Sequence, residues 1–526
     1  MSEKPYLIGV DVGTYSAKGV LVRHGGEIVA RHSVEYELSI PSPGLAEHDA
    51  DEIWWRSLCE ITRALLRESR IDPKSVAAIG CSAIGPTMLP VDRDGRPLRP
   101  AILYGIDTRS WREVEELSES MGPETIFAST GKPLTTQSNG PKILWFRRNQ
   151  PELFEKTDKI LTANGYLVLK LTGAQTLDIY SAAAFDPMFD IPTLGWDLAR
   201  VEQICSIDQL PELRRPTEVV GEVHRAASEE TGLAVGTPVI AGTIDAAAEA
   251  VSVGVTEPGE TMLMYGTTLF IINVTDGWLS HRRMWSSPYL TEGRYVMTGG
   301  LATSAALTRW FRDQFGQVEL EQERAGGVTA YQALAQQVET VPPGSNGLVA
   351  LPYFSGERTP VNDPKARGVI AGLTLSHTRA DVYRALLEGV AYALRHNMET
   401  MNEAGADLTR LVAVGGGTLN KAWLQIISDC LGQPQRVPRQ TVGASYGDAY
   451  LAGYGVGIFP DFTELRESWV QWDRVIEPSR DRHERYNEYY PIYRRTYERL
   501  ADELHALADL QATEAAMAPP PVANGG

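Results

Sequence analysis

Tyr6-Leu7-Ile8-Gly9-Val10-Asp11-Val12-Gly13-Thr14, continued by Ala17-Lys18-Gly19-Val20-Leu21-Val22, sets two apolar strand-forming runs on either side of a short polar turn. It predicts a β-hairpin whose tip carries Asp11, Gly13 and Thr14. The second half of the chain repeats this grammar. Thr261-Met262-Leu263-Met264-Tyr265 leads to the tip Gly266-Thr267-Thr268 and on to Leu269-Phe270-Ile271-Ile272, after a strand Pro238–Gly242 and a helical Asp245–Val251. A polar β-turn in each half predicts a duplicated two-domain α/β fold hinged near Ser252–Glu260. Two short hairpins also resemble each other by chance, so the hairpins alone leave duplication open.

Strands and helices alternate through the rest of the sequence. Apolar residues at helical spacing predict a helix over Glu52–Arg67 behind the N-cap Asp51, and Val76–Ser82 and Thr87–Val91 read as strands. Further helices are expected over Arg109–Ser118, Lys142–Arg148, Gly165–Leu171, Ser304–Phe315, Arg379–Glu403, Asn420–Leu431 and Ala444–Tyr454, with strands over Leu348–Pro352 and Leu411–Val414. A charged helix near Arg482–Leu507 precedes a Pro/Ala/Gly-rich stretch without apolar periodicity. The expected domains are residues 1–253, residues 254–510 and a disordered tail over 511–526.

With 526 residues, 43% hydrophobic and 22% charged, the chain is long and apolar enough for two large cores. Its 49 Lys and Arg against 67 Asp and Glu leave a net charge of −18, which argues against a nucleic-acid partner. An anionic ligand must then be held by backbone N–H groups, a metal, or a few placed cations. Cys59, Cys81, Cys205 and Cys430 are too scattered for a metal pair or a disulfide framework, which fits a reducing compartment. No apolar run approaches a membrane span, and Met1–Pro5 does not open a signal peptide. A cytoplasmic enzyme without membrane association is expected. The nine histidines show no HExxH spacing, and no Walker sequence is present.

Four places could carry chemistry. At the first tip, backbone N–H groups and the Thr14 hydroxyl would meet a phosphate, Asp11 would hold a hydrated Mg²⁺, and Lys18 would supply countercharge. Asp-x-Gly is equally an ordinary hairpin turn. The second tip, Gly266, Thr267 and Thr268, offers the same donors without the carboxylate. Gly415-Gly416-Gly417, between a strand and the helix that holds Asn420, would let a flat ring lie against backbone, or is simply a strand-to-helix turn. Asp245, at Gly242-Thr243-Ile244-Asp245, is placed as a general base for a hydroxyl proton, or is an acid favoured by a helix N-terminus.

From about Tyr6 to Arg482 the chain resembles the FGGY family of carbohydrate kinases. Gly368-Val369-Ile370-Ala371-Gly372-Leu373, followed after seven residues by Asp381-Val382-Tyr383-Arg384-Ala385-Leu386-Leu387-Glu388, is similar to the family's C-terminal signature. Leu351 to Pro360 is similar to its Pro-Tyr-x-x-Gly-Glu-Arg-x-Pro segment. Lys142-Ile143-Leu144-Trp145-Phe146-Arg147-Arg148-Asn149 resembles the N-terminal signature, with Asn139 where Pro, Ser or Thr is usual. The resemblance implies two actin-like, RNase H-like α/β domains with an ATP and sugar cleft between them, and commonly a homodimer. It implies ATP and Mg²⁺ as cofactors, with Asp245 as catalytic base and Asp11 at the metal. Gly13, Thr14, Lys18, Gly266, Thr267 and Thr268 would hold phosphates, and Gly416, Gly417 and Asn420 the adenosine. Glu388 also reads as a packing residue, paired to Arg384 one helical turn away.

The implied substrate is a small sugar, most readily a pentulose of the xylulose or ribulose type. A polyol kinase acting on glycerol or erythritol is the alternative, and an actin-like or chaperone-like ATPase a more distant one. After Cys81-Ser82 the chain continues Ala83-Ile84-Gly85-Pro86, where xylulokinases usually have Gly-Gln-Met-His and glycerol kinases Asn-Gln-Arg-Glu. Losing those long polar groups predicts a different, bulkier polyol or ketose. Ile102-Leu103-Tyr104-Gly105-Ile106-Asp107-Thr108-Arg109 resembles the xylulokinase Ile-Leu-Trp-x-Asp-x-Arg, which makes Asp107 a candidate for a sugar hydroxyl, or a helix cap. Gln137 stands where glycerol kinases carry a substrate-contacting Tyr, and is also an ordinary loop residue.

Overall fold

In the computed structural model, residues 4–439 and 442–517 are described, and they fall into two compact units. The first comprises residues up to Glu260 together with Asn273–Met297 and Arg439–Gln471. Its main sheet is built on strands β1 (Tyr6–Val12), β2 (Ser16–Arg23), β3 (Ile28–Glu35), β4 (Val76–Ala83), β5 (Val219–Glu222) and β6 (Pro238–Ile240), in the order β5-β6-β4-β1-β2-β3. Strand β7 (Thr243–Ile244) adds to β4 in parallel. The β1–β2 hairpin is antiparallel and sets Asp11 opposite Lys18, while β1 and β4 run parallel with Asp11 opposite Ser82. Helix α1 (Arg56–Ser69) covers the sheet through Ile61, which fills the space a Cβ at Gly19 would need. A π-helical segment over Ala50–Trp55 leads into it, and the cap of that segment is Asp49, two residues before the expected Asp51: Asp49 Oδ1 accepts from the N–H groups of Asp51 and Glu52 at 3.0 and 2.9 Å.

Helix α2 (Asp245–Ser252) follows β7 directly. Another helix of this unit, over Ala444–Gly455, comes from far along the chain. Its backbone lies against β1 and β4 at positions where only glycine fits. A Cβ on Gly9 would stand 1.8 Å from the Ser445 carbonyl oxygen, and one on Gly80 2.5 Å from that of Asp448. This close seating explains why the contacts do not follow a single boundary near residue 253. The stretch expected with the second domain packs its backbone directly onto the first sheet.

The second unit comprises Thr261–Ile272, Thr298–Pro438 and the chain from Trp472 on. Its sheet contains β8 (Glu260–Tyr265), β9 (Leu269–Asp276), β10 (Arg294–Leu301), β11 (Arg410–Val414), β12 (Gln435–Pro438) and β13 (Trp472–Ile476), ordered β10-β9-β8-β11-β12-β13. Both sheets thus place a hairpin's third, second and first strands in a row, with the next strand beside the first. Helices α3 (Arg379–Glu403) and α4 (Lys421–Leu431) sit close to their expected bounds.

The last helix runs over Arg480–Met517, past the expected start of the tail at 511. Gln511-Ala512-Thr513-Glu514-Ala515-Ala516-Met517 is rich in strong helix formers, and the first proline beyond Pro491 is Pro519. The remainder of the expected tail, 518–526, lies outside the described residues. Among the described residues no helix is long and apolar enough to cross a membrane.

Candidate active site

The first unit gathers four carboxyl groups around the hairpin tip. Asp11 closes β1, and Ser82 on β4 lies with its Oγ 3.3 Å from Asp11 Oδ1. Ser82 Oγ is also 2.7 Å from Asp448 Oδ2, which accepts the Ser82 N–H at 3.1 Å. Asp448 is fully buried, and among the described residues its Oδ1 has no hydrogen-bond partner. Asp245 opens α2 and accepts the Ala246 N–H at 2.7 Å. Glu249, one turn on, receives the Ala444 N–H.

The electrostatics follow from this crowding. Burial, then the negative charges of Asp245 and Glu249, push the Asp11 carboxyl well above the usual range, against the opposing pull of Lys18 and Ser82. Burial pushes Asp245 up to about 7, with Glu249 adding to it and the Ala246 N–H opposing it. Asp448 is raised by burial and by Asp11 and Asp245. A carboxyl poised near neutral pH has the chemistry of a general base. Like charges this close also favour a cation.

Among the described residues no three His, Cys, Asp or Glu side chains converge as metal ligands. Of the carboxylates gathered in the first unit, Asp11 is the one that could anchor a hydrated Mg²⁺, an ion that leans on one or two carboxylates and keeps several waters.

In the second unit, the Gly266-Thr267-Thr268 turn is held from behind. The Ala305 N–H donates to the Gly266 carbonyl at 3.0 Å, and the Ser304 and Ala306 N–H groups donate to Thr267 at 3.0 and 3.1 Å. Gly415 adopts φ +87°, and a Cβ on it would meet the Tyr265 carbonyl oxygen at 2.7 Å. A Cβ on Gly417 would meet the Tyr265 Cβ at 2.7 Å, so both glycines are demanded by packing. Gly416 differs: it is exposed, with nothing within 4 Å of its Cβ position, and offers an open backbone face. Asn420 caps α4, its Oδ1 accepting the Trp423 N–H at 3.0 Å.

The signature residues of this unit build structure. Arg384 Nε donates to Glu388 Oε1 at 2.8 Å, and Glu388 also accepts from the Gly344 N–H, Ser345 Oγ and Tyr486 OH. Glu357 of the Pro-Tyr-x-x-Gly-Glu-Arg-x-Pro segment accepts the Ala302 and Arg358 N–H groups.

Asp107 is engaged elsewhere. It is fully buried, both oxygens accept from Arg109, and Oδ2 also takes the Ala46 N–H at 2.8 Å. Arg109 and Arg99 in turn reach Glu47. The lone pairs that a sugar hydroxyl would need are already committed to this buried ion network. Gln137 packs against Gly105, where an added Cβ would meet its Cγ at 2.8 Å. Lys142, fully buried beside Asp107 and Asp186, is pushed down to about 7 by burial.

The structure thus brings together Asp11, Lys18 and Asp245, and adds Ser82, Glu249 and Asp448. Glu249 was within reach of the sequence, four residues past Asp245 on one helix face. Ser82 and Asp448 had no local signal.

Comparison with known proteins shows the family. Residues 6–252 match the model of the FGGY family of carbohydrate kinases, N-terminal domain, and residues 261–456 that of its C-terminal domain. A crystal structure of xylulose kinase from Rhodospirillum rubrum superposes with a TM-score of 0.89 at 30% identity, over 95% of this chain and all of its own. The glycerol kinase of Nocardia farcinica is 31% identical over 488 residues, 88% of this chain and 93% of its own. The gluconokinase of Bacillus subtilis is 28% identical over 510 residues, 96% of this chain and 98% of its own.

Proposed function

Because the chain belongs to the FGGY family of carbohydrate kinases, whose members are ATP-dependent phosphotransferases, we propose that it transfers the ATP γ-phosphoryl group to a primary hydroxyl of a pentulose, with Asp245 as general base. The observation that carries this reading is the Asp245 carboxyl, raised to about 7 at the start of α2 and grouped with Asp11 and Lys18 at the first hairpin tip. In the transfer, the sugar oxygen bonds to the γ-phosphorus as the bond to the β,γ-bridging oxygen breaks. ADP carries away that electron pair, and the hydroxyl proton passes to Asp245. Mg²⁺, when bound, would neutralise charge on the phosphates, and Asp11 would hold its water shell.

Gly13, Thr14, Lys18, Gly266, Thr267 and Thr268 are assigned to phosphates, and Gly416, Gly417 and Asn420 to adenosine. Asp107 is assigned a positioning role, since its oxygens are bound to Arg109, and sugar contacts fall to groups nearer Asp245 such as Tyr180. The xylulose kinase neighbour, which this chain covers end to end, favours a pentulose. The Nocardia glycerol kinase relative keeps a polyol as the second reading.

The test is sugar-dependent ADP release over D- and L-pentuloses, hexuloses, glycerol, tetritols and an aldonate, with Asp245→Asn alongside. One preferred pentulose whose turnover vanishes in the variant is expected. Preference for glycerol or a tetritol moves the assignment to the polyol reading, and turnover retained in Asp245→Asn removes Asp245 from the base role.

A further inference from the structure

The first hairpin tip is underlaid by buried aromatic rings that the phosphate assignment leaves unused. The Tyr36 hydroxyl donates to the Gly13 carbonyl at 2.7 Å. The His48 ring meets Tyr36 edge-on, centroids 5.7 Å apart, and Trp54 at 6.2 Å. Trp54 Nε1–H donates to His48 Nδ1 at 3.0 Å, and His48 is fully buried. An indole N–H only donates, so His48 Nδ1 is the acceptor and the neutral ring must carry its proton on Nε2. Among the described residues that buried Nε2–H makes no hydrogen bond, and the backbone group that acts on the ring is that of Thr14. Burial holds the ring neutral, pushing it down to about 4, so the tautomer persists through the working pH range.

Of two consecutive carbonyls of the tip, that of Gly13 is therefore held by a donor beneath it, and that of Thr14 has the unused His48 Nε2–H as its neighbour. The peptide bonds here are trans, so each N–H points opposite to the carbonyl it shares a plane with. Holding the Gly13 and Thr14 carbonyls inward turns the Thr14 and Tyr15 N–H groups outward. Among the described residues neither of these two groups donates to a backbone carbonyl.

The second unit contains an independent instance of the same arrangement. There the carbonyls of Gly266 and Thr267, which correspond to Gly13 and Thr14, are held by backbone N–H groups of Ser304, Ala305 and Ala306. One tip uses side chains where the other uses a helix start, and both leave the following pair of amides turned away.

We propose that Tyr36 and His48 are positioning residues of the first tip, fixing its carbonyls inward so that the Thr14 and Tyr15 N–H groups are set to receive an anionic phosphate group of the nucleotide. This rests on the assignment of the tip to phosphate made above.

The test measures binding of the β,γ-imido analogue of MgATP and of adenosine by calorimetry, in wild type, Tyr36→Phe, His48→Gln and His48→Leu. Tyr36→Phe keeps the ring and loses only the donor, and should weaken the MgATP analogue about five- to tenfold while leaving adenosine unchanged. His48→Leu should do the same. His48→Gln, which can accept from Trp54 and donate to Thr14, should recover most of the affinity. Nitrogen-15 shifts should report a neutral His48 protonated on Nε2 in the free protein.

Analogue binding unchanged in Tyr36→Phe and His48→Leu would overturn the proposal, as would equal weakening of adenosine, which indicates a merely structural role. A His48 protonated on Nδ1 would overturn its part in the arrangement. Wild type that binds adenosine but gains nothing from the phosphates would refute the phosphate assignment itself.

Discussion

Glu249→Gln tests the base assignment through a single charge. Glu249 lies four residues after Asp245 on α2, a spacing that puts Cβ atoms about 6 Å apart. Two unit charges at that separation, in an effective dielectric near 20, repel by about 3 kcal/mol, or roughly two pKa units. Both residues are only half-buried, and Lys18 lies near, so about one unit of that is expected to survive. Burial is the larger cause of the Asp245 shift and is untouched by the substitution. The acid limb of the rate profile should therefore fall from about 7 to about 6.

The sign is fixed by the chemistry: a base works only when deprotonated, so removing a negative neighbour extends activity to lower pH. At pH 6 the wild type should run at about a tenth of its plateau and the variant at about half, each normalised to its own maximum. The assay is kcat/KM for MgATP from sugar-dependent ADP release between pH 5.5 and 9. An acid limb that stays near 7 in Glu249→Gln, or moves upward, would refute the reasoning.

Asp245→Asn should be inactive yet more stable at pH 8. A carboxyl whose folded pKa lies above its unfolded value penalises the fold once charged, and the penalty fades as pH falls toward the unfolded value. After allowance for partial exposure, about 1–2 kcal/mol of gain at pH 8 should shrink at pH 5, as read by urea denaturation. Gly9→Ala would drive a methyl to 1.8 Å from the Ser445 carbonyl oxygen, and should cost about 3 kcal/mol, seen as a lowered Tm. Gly416→Val meets open space, so Tm should hold while KM for ATP rises severalfold; an unchanged KM would detach Gly416 from adenosine. Asp107→Asn leaves the buried Arg109 with only Glu47, which it shares with Arg99, and should lower stability by about 3 kcal/mol, with the Tm falling accordingly.

The parts of the site that were legible in the sequence are those written locally. Both hairpin tips, the glycine run before Asn420 and the acid at the start of α2 combine a change of hydrophobic period with turn residues, and the structure has a turn or helix start at each. What could not be read depends on packing between distant segments. Asp448 sits in a helix whose sequence gives no sign that its backbone lies on β1 and β4, and Gly9 and Gly80 look like ordinary strand residues until that helix is in place. Asp107 misled for the converse reason. Its spacing to Arg109 reads as a loop motif, while the Glu47 and Ala46 groups that complete its shell come from about sixty residues away.

The two tips also show how a duplicated element diverges without changing its geometry. In the second unit the supporting donors are backbone amides at the start of a helix, the groups a helix leaves unpaired in any case, so almost any residue there supplies them. In the first, Tyr36 comes after β3 and His48 after an extended loop, and one substitution removes either donor. A tip held by side chains is therefore the more sensitive to mutation of the pair. It is also the one that carries a carboxylate, Asp11, raised by burial and by the charges of Asp245 and Glu249. Fixed amides beside a carboxylate would allow one turn to receive an anion directly and to hold a hydrated cation next to it, which neither feature could do alone.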